Sequence, residues 1–248
     1  FIVYRTAVYF DGTHGTVENN DVTSGGIGIL YYGGYGKINN NSIAVTSING
    51  NDYPSIGGIV TGSYCILMGH GSYEFSINDN DAFLYGDAGN LTDYCVCINV
   101  KECNNFTVQS NKTAIDANTG NFCVHIQVTD PGAGGFSVLD NHVDDRINVP
   151  HPSPFDCIKV VDNTTLTGSG LVAGNFVDGS RVAPGPPYEL YVDTVNANGS
   201  MILVKGNCIS DITQGSGWPA QRIDPSIRGR AVPDGNNTMV NDGNTLAF

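Results

Sequence analysis

Three stretches decide the fold: Phe75-Ser76-Ile77-Asn78-Asp79-Asn80-Asp81-Ala82, Phe106-Thr107-Val108-Gln109-Ser110-Asn111-Lys112-Thr113 and Phe136-Ser137-Val138-Leu139-Asp140-Asn141-His142-Val143. Each reads Phe-x-Val/Ile-x-x-Asn. The shorter signature, a β-branched residue three positions before an asparagine, also ends in Asn20, Asn41, Asn175 and Asn207. An apolar residue stands two positions after most of these asparagines: Val22, Ile43, Ala82, Val143, Val177 and Ile209, with Thr113 the exception. The seven asparagines recur 21 to 39 residues apart. Self-similarity at that period signals a solenoid, in which each unit buries its apolar face only against its neighbours.

A second repeat lies upstream of the first in each unit. Tyr64-Cys65-Ile66-Leu67-Met68, Tyr94-Cys95-Val96-Cys97-Ile98 and Phe122-Cys123-Val124-His125-Ile126 align without gaps, and Phe155–Val160 continues the series. Short apolar alternation bounded by Gly, Asn, Asp and Ser describes strands and turns. With no gaps allowed, Tyr64, Ile66 and Met68 point inward. Cys65, Cys95, Cys123 and Cys157 share the outward face with Leu67, Cys97, His125 and Lys159. An outward Cys/Leu face is too apolar to stay wet, which predicts a homotrimer packed along the helix axes.

The chain of 248 residues has 32 glycines and a net charge of −13, with only 11 Lys and Arg. It lacks the basic footprint that nucleic-acid phosphates demand. No apolar run approaches the ~20 residues of a membrane span, so no membrane insertion is expected. Seven cysteines, an odd number, sit at repeat positions that suggest in-register ladders and not a disulfide framework. Nothing in the sequence calls for a cofactor. Sequons at Asn40, Asn90, Asn105, Asn111, Asn163, Asn198 and Asn236 hint at secretion, although Asn111 also belongs to the repeat. The apolar opening Phe1-Ile2-Val3 suggests a further coil upstream. Residues 1–210 read as the solenoid. Residues 211–248 leave the repeat and read as a cap, a subunit contact or a linker.

The Val/Ile-x-x-Asn-x-Val repeat resembles the right-handed parallel β-helix of the pectate-lyase-like superfamily, over roughly residues 15–210. The resemblance implies an all-β, single-stranded right-handed parallel β-helix of about seven coils with loop insertions, whose turn asparagines form an amide ladder. The Gly/Asn-rich, acidic character resembles bacteriophage tailspikes, trimers that bind and often cleave bacterial surface polysaccharide. The end of the chain is loosely similar to inulin fructotransferases. These likenesses imply a polysaccharide or oligosaccharide partner and an extracellular or virion-surface location. No catalytic motif of either group aligns. The Gly-His-Gly of polygalacturonases is matched by Gly69-His70-Gly71, but it precedes Asp144-Asp145, the reverse of that family's order.

Four clusters are candidates for chemistry. His142, Asp144, Asp145 and Arg146 form the densest group of ionisable side chains. Paired carboxylates divide acid and base roles in glycoside hydrolysis, so Asp144 and Asp145 are candidate catalysts, together or with Asp140 or a carboxylate on a neighbouring coil as the partner. His142 and Arg146 are candidate substrate contacts. The plainer reading is a solvated turn. His70 and Glu74 flank a glycine turn and are proton-transfer types, although a coil corner also explains them. Cys95, Cys97, Cys123 and His125 would form one patch on adjacent strands and would suit Zn²⁺, unless they are a packed cysteine ladder. Tyr31, Tyr32, Tyr35, Tyr53 and Trp218 offer rings for stacking on sugars, with Tyr53 and Trp218 as the candidate binding residues.

Overall fold

A computed structural model describes residues 6–46, 53–55, 58–60, 62–85, 94–116, 122–145, 156–162, 168–179, 190–194, 201–211, 227–230, 238–242 and 245–247. The chain is a right-handed parallel β-helix, with no helix among the described residues. Three parallel sheets of eight strands each run its length. Sheet A stacks Thr6–Asp11, Ile27–Tyr32, Ser63–Met68, Tyr94–Lys101, Phe122–Thr129, Asp156–Asp162, Leu190–Thr194 and Ile227–Arg230. Sheet B stacks Thr16–Glu18, Lys37–Asn39, Tyr73–Asn78, Asn104–Gln109, Gly135–Leu139, Ser169–Ala173, Met201–Lys205 and Thr238–Asp242. Sheet C stacks Asp21–Gly25, Ser42–Thr46, Asp81–Tyr85, Lys112–Asp116, His142–Asp145, Phe176–Gly179, Cys208–Asp211 and Thr245–Ala247. A small antiparallel hairpin, Tyr53–Ser55 with Gly58–Val60, lies in the connection after the second coil.

Seven asparagines mark seven coils, and the segment expected to leave the repeat supplies an eighth. Leu190 pairs with Ile227, Val204 with Asn241 and Cys208 with Thr245. The repeat signature misses this coil because Asn241, which pairs with Val204, stands where the other coils have Val or Ile.

The corner between sheets B and C has the same two-residue length in every coil. Its first residue is left-handed: Asn19, Asn40, Asp79, Ser110, Asp140, Gly174 and Gly206 have φ between 51° and 68°. Six of the seven are Asn, Asp or Gly, the types that tolerate this region. The second residue is the ladder asparagine. From Asn20 to Asn175, each backbone N–H and each side-chain Nδ2 donates to Oδ1 of the next coil's asparagine, at 2.8–3.1 Å. From Asn41 onward, Nδ2 also donates to the carbonyl of the preceding coil's β-branched residue: Val17, Ile38, Ile77, Val108, Val138 and Val172. Buried amides are costly unless paired, and these are fully paired.

Inside the corner, sheet B contributes Val17, Ile38, Ile77, Val108, Val138, Val172 and Val204, all buried. Aromatic volume is shared between sheets. In the first two coils sheet A supplies Phe10 and Tyr31, stacked at 4.6 Å, and sheet B has Gly15 and Gly36 opposite. A Cβ at either glycine would overlap those rings. In the next three coils sheet B supplies Phe75, Phe106 and Phe136, stacked at 5.3 and 5.7 Å, and sheet A retreats to Met68, Val100 and Val128.

Sheet A departs from the gapless alignment in two ways. Tyr64 pairs with Val96 and not with Tyr94, and Ile158 pairs with Ile126 and not with Val124. Both are slips of two residues, which a period-two pattern cannot detect because each side chain keeps its face. The second departure concerns the faces. Cys65, Cys95, Cys97 and Cys157 are fully buried in the central core, and His125 is fully buried as well, its Nδ1 3.2 Å from Thr113 Oγ1. Cys65 donates to the Phe83 carbonyl and Cys97 to that of Ala114, both in sheet C. Ile66 and Ile98, the next residues, are also core. Two consecutive inward residues break the alternation, and the ladder pairs skip 65 and 97. This is a bulge repeated coil upon coil. Tyr64, Val96 and Val124 join Ile27 and Leu30 in a separate apolar cluster. The apolar cysteine face expected to drive trimer assembly is therefore inside the solenoid.

Ser110 is the left-handed corner residue least suited to its backbone. Ser110→Gly removes a left-handed Cβ penalty of roughly 1–2 kcal/mol, offset by a glycine entropy cost of about 0.5–1 kcal/mol. The variant is expected to unfold at higher urea than wild type, and a lower midpoint would contradict this account of the corner.

Candidate functional site

The three corners differ sharply in what they can hold. The B–C corner is invariant in length. From the second coil onward the connections from sheet C to sheet A, 47–62, 86–93, 117–121, 146–155, 180–189 and 212–226, run from 5 to 16 residues, against two at the B–C corner and two to seven between sheets A and B. Insertions gathered on one edge of a solenoid commonly border its binding face. That edge adjoins the outer face of sheet C.

Register assembles this face from residues scattered in sequence. Ser42, Asp81, Lys112, His142, Phe176 and Cys208 form one row across neighbouring strands. Ala44, Phe83, Ala114, Asp144 and Asp178 form the next. Phe83 packs on Tyr85 with ring centres 4.1 Å apart, and Tyr85 is 45% exposed. Ala44 and Ala114 flank Phe83, so the ring stands beside low ground, and Asp81, Phe83, Lys112 and Ala114 line a shallow depression. His142 is exposed and meets the exposed Phe176 edge-on at 5.1 Å.

The expected carboxylate cluster is part of this face. Asp144 is half-buried. Asp145 takes the register of the buried Ile115; its side chain and all of Arg146 lie outside the described residues. Of the partners the sequence left open for Asp144, register sets one on the next coil beside it, Asp178. Neighbouring strands lie ~4.8 Å apart, so the two positions are one strand spacing from each other, and the Asp178 side chain lies outside the described residues. No local motif marks Asp178; only the repeat alignment finds it.

The A–B corner holds the second group. His14 and Tyr35, both left-handed, stack at 4.8 Å with their planes 9° apart, and Tyr73 meets Tyr35 edge-on at 5.4 Å. Backbone bonds set this column: His14 N–H donates to Gly34 O and Tyr35 N–H to Tyr73 O. Tyr35 is exposed as expected, Tyr31 is fully buried in the core, and Tyr32 packs against the outer apolar cluster. The side chain of Tyr53 and all of Trp218 lie outside the described residues.

His70 is on the same corner, but its partner is Glu102 and not Glu74. Its Nδ1 lies 2.9 Å from Glu102 Oε2, and Lys101 Nζ is 3.6 Å from the other carboxylate oxygen. Glu74 is exposed and left-handed at φ 50°, in register with Asn105. The turn beneath His70 is sewn by Ser72 Oγ, which donates to Gly69 O at 2.8 Å and accepts from Gly33 N–H at 3.2 Å. Cys103 Sγ also donates to Gly69 O, and burial pushes its thiol up to about 12, too high for a nucleophile at neutral pH.

The proposed zinc ligands do not present a surface site. Cys95, Cys97 and His125 are interior, and Cys123's side chain lies outside the described residues. Among the described residues, no group of three or more His, Cys, Asp and Glu is placed to hold a metal ion.

No protein-family model matches this chain, and no curated protein or solved structure matches it. The class therefore rests on the fold: an Asn-laddered right-handed parallel β-helix. Among the described residues no helix is long and apolar enough to cross a membrane.

The His70 hydrogen bond is the main cause holding the Glu102 carboxyl below its usual range, with Lys101 adding a smaller pull. A depressed carboxylate contributes stability above its unfolded pKa and loses it as pH falls through the folded value. The pair is exposed, at 59% and 48%, so its energetic share is small and the titration itself is the informative readout. In His70→Ala the Glu102 side-chain carboxyl is expected to titrate at higher pH by NMR. An unchanged midpoint would show that the pair does not form in solution.

Proposed function

We propose that this protein is a polysaccharide-recognising β-helix of the phage tailspike or tail-fibre type, acting at a virion or cell surface, with the glycan lying on the outer face of sheet C. The observation that supports it is the pairing of half-buried Phe83 with exposed Tyr85 beside a depression lined by Asp81 and Lys112, on the edge where the insertions gather. Sugar rings present apolar C–H faces and a rim of hydroxyls. Flat aromatic surface suits the faces, and carboxylate, ammonium and imidazole groups suit the rim. The rigid stack of sheet C holds these groups without a ligand-induced rearrangement. A net charge of −13 favours neutral glycans over strongly anionic ones.

The register of Asp144 with Asp178 favours a second reading, a secreted carbohydrate-active enzyme such as a glycosidase, lyase or fructotransferase. A homotrimer belongs to the tailspike reading. The surface available for it is the outer face of sheet B, where Leu139, Leu171 and Leu203 take over from the Asn78, Gln109, Ser76 and Thr107 of earlier coils.

A panel of neutral and acidic bacterial polysaccharides tests both readings, with binding, new reducing ends and unsaturated-uronate absorbance followed together. The recognition reading expects binding to at least one glycan, weakened about tenfold or more in Phe83→Ala/Tyr85→Ala, the ~1.4 kcal/mol scale of a lost ring contact. Binding that ignores both rings would sink the placement on sheet C, and no binding across the panel would sink the reading. If reducing ends appear, Asp144→Asn and Asp178→Asn should each abolish turnover; retention in both would remove the catalytic assignment.

A further inference from the structure

Three sequons fall on described residues, and the fold treats them differently. Asn40 is exposed at a corner, its Nδ2 donating to Asn19 Oδ1. Asn105 is exposed, its Oδ1 accepting from Gly135 N–H. Asn111, in Asn111-Lys112-Thr113, is a ladder residue 1% exposed, and Thr113 is wholly buried. Both Nδ2 hydrogens of Asn111 are committed, one to Ile77 O at 2.9 Å and one to Asn141 Oδ1 at 3.0 Å.

N-glycosylation joins the first sugar carbon to Nδ2. It breaks that carbon's bond to the diphosphate of a lipid-linked oligosaccharide, and Nδ2 gives up one proton. A modified Asn111 would keep a single N–H for two ladder acceptors. The added sugar would occupy the space where the neighbouring coil packs. Ile77 O or Asn141 Oδ1 would lose a buried partner, and coils three to five could not close around a bulky polar group. The folded chain cannot be modified at Asn111, because neither Asn111 nor Thr113 is accessible. The unfolded chain can.

We infer that Asn111 is a glycosylation sequon the fold cannot accept in modified form, and that the chain is made and folded where nascent chains meet no oligosaccharyltransferase. A eukaryotic secretory route is incompatible with the ladder. Bacterial export, or assembly in a cytoplasm followed by release, is compatible. This inference is independent of the glycan-binding reading, since it uses only the ladder and the sequon.

The test is to express the described chain behind an endoplasmic-reticulum signal peptide in a glycosylating eukaryotic cell. Glycopeptide occupancy at Asn111, secretion and protease resistance are measured together. Wild type is expected to be occupied at Asn111, retained and protease-sensitive, and to be secreted in resistant form when lipid-linked oligosaccharide synthesis is inhibited. Thr113→Val gives up the contact with His125 Nδ1 but keeps the packing of a row that already holds Val22, Val143 and Val177, so it should escape without the inhibitor, its folding checked by protease resistance after expression in a bacterial cytoplasm. Resistant wild type secreted with Asn111 occupied would overturn the inference. So would resistant wild type secreted with Asn111 empty, or retention that neither the inhibitor nor Thr113→Val relieves.

Discussion

The structure depends on one side-chain amide used twice over. Each ladder asparagine offers Oδ1 to two donors of the preceding coil, and from Asn41 to Asn175 its Nδ2 reaches one acceptor on each side. No other side chain of this size supplies both a bivalent acceptor and two donors. Aspartate would accept but not donate, and leucine would fill the space and strand buried groups. The amide therefore fixes the corner's length at two residues and its backbone at one left-handed position. It also keeps successive corners in strand register.

A corner that never varies makes the other two free to vary. The interior tolerates this because each coil balances its own volume, as Phe10 and Tyr31 do against Gly15 and Gly36. Length changes are taken up after sheet C and, to a lesser degree, after sheet A. The surface groups with chemical character follow this division. Phe83, Tyr85, Lys112, His142 and Asp144 stand on the sheet that borders the insertions, and His70, Glu102, Tyr35 and Tyr73 stand on the A–B corner.

The asparagine repeat was legible because its cause is local: a tight corner needs the same few atoms in every coil. The left-handed residue before each asparagine could have been read too, since six of the seven are Asn, Asp or Gly, types biased toward that conformation, with Ser110 the exception. Sheet A was legible as strands but not in register, because a slip of two preserves every face. Its bulge was invisible for another reason: successive coils carry it at the same position, so aligned coils show no gap, and it turned a presumed surface of Cys65, Cys95, Cys97 and His125 into core. The eighth coil was hidden by a polar residue at 241, where the others have Val or Ile. The site suffered most. Sequence proximity paired His70 with Glu74 and could not name the neighbouring-coil partner of Asp144, whereas a solenoid brings together residues one coil apart, Glu102 with His70 and Asp178 with Asp144.

The most direct measurement compares Asn111→Ala with Asn20→Ala in urea unfolding. Asn111 is interior to the ladder, and its loss removes the buried acceptor shared by Asn80 N–H and Nδ2 and one donor each from the Ile77 carbonyl and Asn141 Oδ1. Asn20 is exposed at the first corner. The ladder account predicts that Asn111→Ala costs about 3 kcal/mol or more, from buried groups left unpaired at roughly 1–3 kcal/mol each, and that Asn20→Ala costs under about 1 kcal/mol. Two equal, small losses would contradict it and would mean that backbone pairing and core packing set the corners without the amides.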